Sequence, residues 1–167
     1  FKVIGQGTLG GVPVSVLILA VVAGICWVLL NKTRFGRYVY AVGGNERAAR
    51  ASGIRPSNII IKAFIINGIL CGLAGVVMTS RVNSGQPAAG VGYEFDAITA
   101  VVVGGTSLMG GTGTITGTII GSFIIGIINN IPNLMNVSSY WQQVIKGLII
   151  AIAVILDVWT KSRKGRA

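Results

Sequence analysis

Protein chemistry needs groups that can move a proton, attack an electrophile or hold a metal, and in this sequence they are scarce. The 167 residues contain four acids, Glu46, Glu94, Asp96 and Asp157, and no histidine. That removes Ser/His/Asp triads, Cys/His nucleophiles and histidine-based metal sites together. Cys26 and Cys71 each lie inside an apolar run, where a thiol behaves as a small buried hydrophobe, so neither a disulfide nor a redox role is expected. Two glycine patterns imitate phosphate loops. Gly5, Gly7 and Gly10 spell G-x-G-x-x-G, but the fingerprint needs a preceding strand and an acid about 20 residues on, and the first acid is Glu46. Gly105 to Thr112 reads G-x-x-x-x-G-G-T, with Gly111 where the phosphate-binding lysine belongs. No catalytic residue, metal or cofactor is expected from any of these.

What remains is concentrated charge. Asn31 to Ser57 holds Lys32, Arg34, Arg37, Arg47, Arg50 and Arg55 against the single acid Glu46. Within it, Asn45-Glu46-Arg47-Ala48-Ala49-Arg50-Ala51-Ser52-Gly53 has the marks of a short helix. Asn45 can cap the free N–H groups, Glu46 complements the positive helix end, and Gly53 suits the left-handed position after the last turn. Ala48, Ala49 and Ala51 give it a flat alanine surface between projecting arginines, suited to a groove in another protein. Equally open is a solvated helix lying on anionic lipid headgroups, which attract basic residues at about 1 kcal/mol each.

The elements that must hold this loop are apolar. Hydrophobic residues make up 52% of the chain and charged ones 11%, with a mean hydropathy of +0.76; soluble domains carry about 25% charged residues. A net charge of +10 would fit nucleic acid only if basic residues shared a soluble face with stacking aromatics, and here they cluster between apolar spans, so no nucleic-acid partner is expected. The expected fold is all-α: a polytopic transmembrane helical bundle of about five crossings, one of them short or broken, in contact with the lipid bilayer. Membrane segments are expected at 12–30, 58–80, 96–108, 114–131 and 140–160, since a helix needs about 20 apolar residues to cross the hydrocarbon core. Pro13 falls in the first turn of the first span and Pro132 ends the fourth. Residues 1–11 form an external loop, 31–57 a cytoplasmic loop and 161–167 a cytoplasmic tail. The chain begins at Phe1 without a visible signal peptide, and is expected to be a fragment.

Small and polar residues mark the spans. Gly68, Gly72 and Gly75 form a stripe on one, and Gly113, Gly117 and Gly121 recur every fourth residue on another, letting helix backbones approach as membrane packing requires. Polar groups at membrane depth face protein or water. Asn67, Thr118, Ser122, Asn129 and Gln143 are therefore candidates for a solute path, with hydrogen bonding to neighbouring helices as the alternative for each. Lys146, about two turns into the last span, needs a partner, and Glu94 or Asp96 are the candidates. The loop and tail carry ten basic residues, while the stretches on the other side carry only Lys2 and Arg81. The positive-inside rule then places loop and tail in the cytoplasm and the N-terminus of this chain outside. Loop and tail on one side require an even number of intervening crossings, so 96–108 must cross as well.

Three stretches carry a family resemblance. GRYVYAVGGNERAARASGI from Gly36 to Ile54, QPAAGVGYEFDAITAVVVGGTSLMGG from Gln86 to Gly111 and GTIIGSFIIGIINN from Gly117 to Asn130 together resemble the C-terminal half of the membrane permease of ribose-type ABC sugar importers. The resemblance covers essentially the whole chain, although such permeases are about twice as long. It implies a non-enzymatic, multi-pass permease of the cytoplasmic (inner) membrane that works as a pair of copies. Its partners would be a periplasmic solute-binding protein and a cytoplasmic ATP-binding subunit gripping a coupling helix. Glu46, Ala48, Ala49 and Gly53 match that coupling motif, within the segment that also holds Asn45, Arg47 and Arg50. Alternatives are a permease for another small solute, a secondary transporter, or a structural membrane subunit.

Overall fold

The sequence enters its first long helix through a tight hairpin. In the computed structural model, which describes Gly5, residues 7–86 and 90–134, and residues 138, 141, 143, 144, 147–149, 151, 152 and 155, strand β1 (Thr8–Leu9) pairs antiparallel with β2 (Val12–Pro13). Gly10 and Gly11 make the turn, so the imitation of a dinucleotide fingerprint resolves into hairpin chemistry. This is the one departure from an all-α fold among the described residues. Pro13 does not sit in the first helical turn; it caps α1 (Val14–Lys32) from outside with extended backbone.

Helices named among the described residues follow the hairpin in the order α1, α2 (Arg34–Gly44), α3 (Glu46–Ala51), α4 (Pro56–Val82), α5 (Tyr93–Val103) and α6 (Ile115–Leu134). The described residues between 141 and 155 are helical too. At 1.5 Å per residue α1 is about 28 Å long and α4 about 40 Å, long enough to cross hydrocarbon. Both are apolar all round: no α1 residue is buried, and only Pro56, Ile59 and Ser80 are buried in α4. Side chains such as Val21, Ile25, Phe64 and Ile69 stand exposed on them. A helix with no polar face belongs in lipid or among other membrane helices.

The expectation of one polar loop over 31–57 is corrected. Asn31 and Lys32 complete α1, Ser57 lies in α4, and between them stands the eleven-residue helix α2. Its half-buried Phe35, Val39, Tyr40 and Val42 fall at helical spacing, with Arg34 and Arg37 outside, a pattern the charges conceal. Thr33 makes the break: its Oγ1 donates to the Leu29 carbonyl at 2.6 Å and accepts from the Gly36 N–H at 3.3 Å. Gly36 is buried where a Cβ would overlap the Leu30 backbone, so α2 can fold back on α1 only with glycine there. Helix α2 contacts α1, α3 and α4.

Residues 1–89 and 90–167 form two compact units. In the second, α5 and α6 pack closely: a Cβ at Gly117 would overlap the Gly104 carbonyl, and one at Gly121 the Ala100 carbonyl. Thr99, Ala100 and Ile125 are buried in that contact. With eleven residues, α5 is about 16 Å long, half a hydrocarbon core. It ends at Gly104, where Thr106 N–H bonds the Val101 carbonyl at 3.0 Å and Gly105 N–H the Val102 carbonyl at 2.9 Å. The Gly104–Gly113 cluster is thus a helix terminus and turn. Pro132 does not end α6, which runs one further turn-fragment to Leu134.

Candidate functional site

Helix α3 is built by local signals at both ends. The Asn45 Oδ1 accepts from the Ala48 N–H at 3.0 Å, satisfying one of the free donors at the helix start. At the far end Ile54 N–H bonds the Ala49 carbonyl at 3.1 Å and Gly53 N–H the Arg50 carbonyl at 3.0 Å. This is the paired closure that needs a left-handed residue after the cap, and Gly53 supplies it with φ +81°. Glu46 reaches Arg50 one turn on at 3.0 Å. In water such an exposed pair adds only a few tenths of a kcal/mol, but it neutralises the one acid of the segment.

The flat alanine surface is only partly present. Ala49 is 4% exposed and faces inward, where α3 touches α2 and α4, while Ala48 and Ala51 are exposed with Glu46, Arg47 and Arg50. A six-residue helix is too short for periodicity to reveal its inner face. Along α3 runs a cleft of about 810 Å³ lined by Gly44, Asn45, Glu46, Arg47, Arg50 and Ala51. The helix is thus held from beneath by Ala49 and presents an arginine-flanked groove outward.

The polar residues of the spans behave differently from one another. Thr118 Oγ1 donates to the Thr114 carbonyl at 3.1 Å and Ser122 Oγ to the Thr118 carbonyl at 2.8 Å, so both hydroxyls turn back on their own helix. Asn129 Nδ2 donates across to Asp96 Oδ2 at 3.0 Å, joining α6 to α5. Thr118, Ser122 and Asn129 thus share α6, whereas Asn67 is exposed on α4 and Gln143 is exposed on the last helical stretch. Of the candidate partners for Lys146, Glu94 accepts locally from the Gly92 N–H at 3.1 Å and Asp96 holds Asn129; Lys146 itself lies outside the described residues, as do Asp157 and residues 161–167.

The glycines divide in the same way. Those at 117 and 121 lie under α5, and Gly113 abuts the Thr106 side chain, but no atom of the described residues stands within 4 Å of a Cβ built at Gly68, Gly72 or Gly75. The residues that set the α1–α2 angle, Thr33 and Gly36, and the pairing of Asp96 with Asn129 come from the structure. A Thr-x-x-Gly before an apolar i, i+4, i+7 pattern was the available signal for the first. Nothing in the sequence signalled the second, since its residues are 33 positions apart.

A family model described as "Branched-chain amino acid transport system / permease component" matches residues 2–154. The ribose import permease protein of Haemophilus influenzae is 49% identical over 98% of this chain and 51% of its own length. That of Bacillus subtilis is 52% identical over 94% of this chain and 49% of its own length. The xylose transport system permease protein of Haemophilus influenzae is 42% identical over 92% of this chain and 41% of its own length. The chain therefore spans about half the length of these curated relatives or less. No solved structure matches it significantly. With apolar helices long enough to span a bilayer and a family match over nearly all its residues, the chain belongs to this permease family and is a helical, multi-pass membrane protein.

Proposed function

We propose that the chain is part of the membrane permease of an ATP-driven importer that carries a monosaccharide, ribose or a close analogue, across the cytoplasmic membrane. The carrying observation is identity of about one half with two ribose import permeases along nearly the whole chain, against 42% with the xylose protein. Helix α3 supports the ATP-driven part of the reading, being short, capped at both ends and backed by α2 and α4. A cytoplasmic ATP-binding subunit grips the outer face of Asn45–Gly53, and Ala49 passes the movement inward. A periplasmic solute-binding protein delivers the sugar on the opposite side. The basic segment around α3 lies in the cytoplasm, the N-terminus of this chain outside and its C-terminus inside, following the positive-inside rule.

The solute path takes polar groups from Asn67, Thr118, Ser122, Asn129 and Gln143, together with residues of the longer protein. A second permease copy completes the transporter, and the open Gly68/Gly72/Gly75 stripe of α4 is suited to receiving a helix from another segment or copy. The test is reconstitution of the permease carrying this chain in proteoliposomes with an ATP-binding subunit and a ribose-binding protein. Labelled ribose should accumulate only with ATP and all three components, and excess xylose should compete weakly. Accumulation driven by an ion gradient without the ATP-binding subunit would replace the importer with a secondary transporter.

A further inference from the structure

The charge balance of the first unit does not close within the chain. Glu46 is the only acid among residues 1–89, and it is engaged by Arg50. A second cavity, of about 690 Å³, shares no lining residue with the arginine-flanked groove and is within the range of small-molecule sites. It takes Arg34, Phe35 and Tyr38 from the first turns of α2, Ser52 to Arg55 from the α3–α4 junction, and Asn58, Ile59 and Lys62 from the start of α4. Three cations from three separate stretches therefore line one cavity, with no acid among the described residues of its walls. None of the three has an ion-pair partner among the described residues. The start of α4 adds its positive end, and Arg55 makes no side-chain cap there.

The remaining walls define what kind of anion fits. Phe35 and Ile54 are half-buried and Ile59 is 8% exposed, so the cavity has an apolar side as well as a cationic one. It also lies where long apolar helices stop. Arg34 follows the end of α1 at Lys32 by two residues, and Lys62 stands about 9 Å up α4 from Pro56. The ends of long apolar helices are where hydrocarbon gives way to phosphate and glycerol in a bilayer. An acidic protein segment or a free phosphate would satisfy the cations but leave the apolar side without a partner; a lipid supplies both halves.

We infer that the cavity between α2, the α3–α4 junction and α4 binds the phosphate headgroup of an anionic phospholipid, with Arg34, Arg55 and Lys62 on the phosphate and Phe35, Ile54 and Ile59 against the glycerol and first acyl carbons. The inference rests on the membrane reading and not on the coupling role of α3. The lipid holds the α2–α4 angle, and its three cations are distinct from Arg47 and Arg50 that flank the outer groove of α3.

The permease carrying this chain is purified in an uncharged detergent, stripped of lipid, and titrated with phosphatidylglycerol, phosphatidylcholine or glycerol phosphate, with bound lipid counted by native mass spectrometry. Phosphatidylglycerol should saturate one site per chain. Each of Arg34→Gln, Arg55→Gln and Lys62→Gln should weaken it about fivefold, and the triple variant about a hundredfold, as about 1 kcal/mol per cation implies. Arg37→Gln, an equal loss of charge outside the cavity, should leave binding unchanged. If the triple variant does not fold, the single variants decide. Equal binding of phosphatidylcholine, competition by glycerol phosphate at the same concentration, or an equal effect of Arg37→Gln overturns the proposal. So does a triple variant that keeps the lipid but no longer retains an ATP-binding subunit, which makes the cavity a protein contact.

Discussion

The sharpest test of how α3 works is the residue that closes it. Gly53 has φ +81° with nothing within 4 Å of the position a Cβ would take, so a substitution there meets no clash and changes only backbone strain. An L-residue in the left-handed region costs about 1–2 kcal/mol, with β-branched residues at the high end. If the terminus rearranges to relieve that strain, the bonds from Gly53 N–H and Ile54 N–H are lost, at about 0.5–1.5 kcal/mol each. Gly53→Val therefore destabilises the closed form of α3 by the smaller of the two costs, about 2 kcal/mol for a β-branched residue, a shift of about 30-fold in the local equilibrium. A helix of six residues has almost no stability of its own to absorb this. Asn tolerates the left-handed region far better than Val, so Gly53→Asn separates strain from side-chain bulk. In ATP-driven ribose uptake by proteoliposomes, Gly53→Val should lose at least tenfold and Gly53→Asn less than half, with both variants at normal levels in the membrane. Wild-type uptake by Gly53→Val, or equal damage from the two, refutes the reasoning.

Other outcomes follow from the second unit. Asn129→Ala takes the donor from a carboxylate that it bonds at 3.0 Å and should cost about 1.5–3 kcal/mol; the exchange of Asp96→Asn with Asn129→Asp should recover most of it in thermal unfolding, unlike either single change. Gly117→Leu, whose side chain would meet the Gly104 carbonyl, should separate α5 from α6 and lower the detergent-solubilised unfolding midpoint by several degrees, whereas Gly126→Leu on the open side of the same helix should not; equal effects would show that contact with α5 is not what Gly117 serves. Reversal of charge at Lys146 should be rescued by Asp96→Lys or by Glu94→Lys, read as uptake; no rescue from either removes the proposed pairing.

What the sequence reveals, and what it hides, follows from the range of each interaction. The ends of α3 are legible because Asn45 and Gly53 act on backbone groups within a few residues of themselves. The apolar runs of α1 and α4 are legible because lipid demands uniform composition. Helix α2 is hidden: Arg34 and Arg37 look like loop, Gly36 looks like a breaker, and their compatibility with a helix depends on a close approach to Leu30 that composition does not report. The inward face of Ala49 is hidden for a related reason, since it is set by which neighbours α3 meets. Pro132 shows the limit of a breaker rule: it has no N–H to offer the Ile128 carbonyl, yet α6 continues two residues beyond it to Leu134.

Helix α2 is a rod about 16 Å long with one extended residue at either end, Thr33 and Asn45, each closing one helix and opening the next. Such a rod acts as a crank. A turn of about 10° at Asn45 moves its far end by about 3 Å over that length, and costs torsion at a single residue instead of broken helical hydrogen bonds. Displacement applied to α3 can thus arrive at the base of α1 enlarged, with every helix along the route still intact.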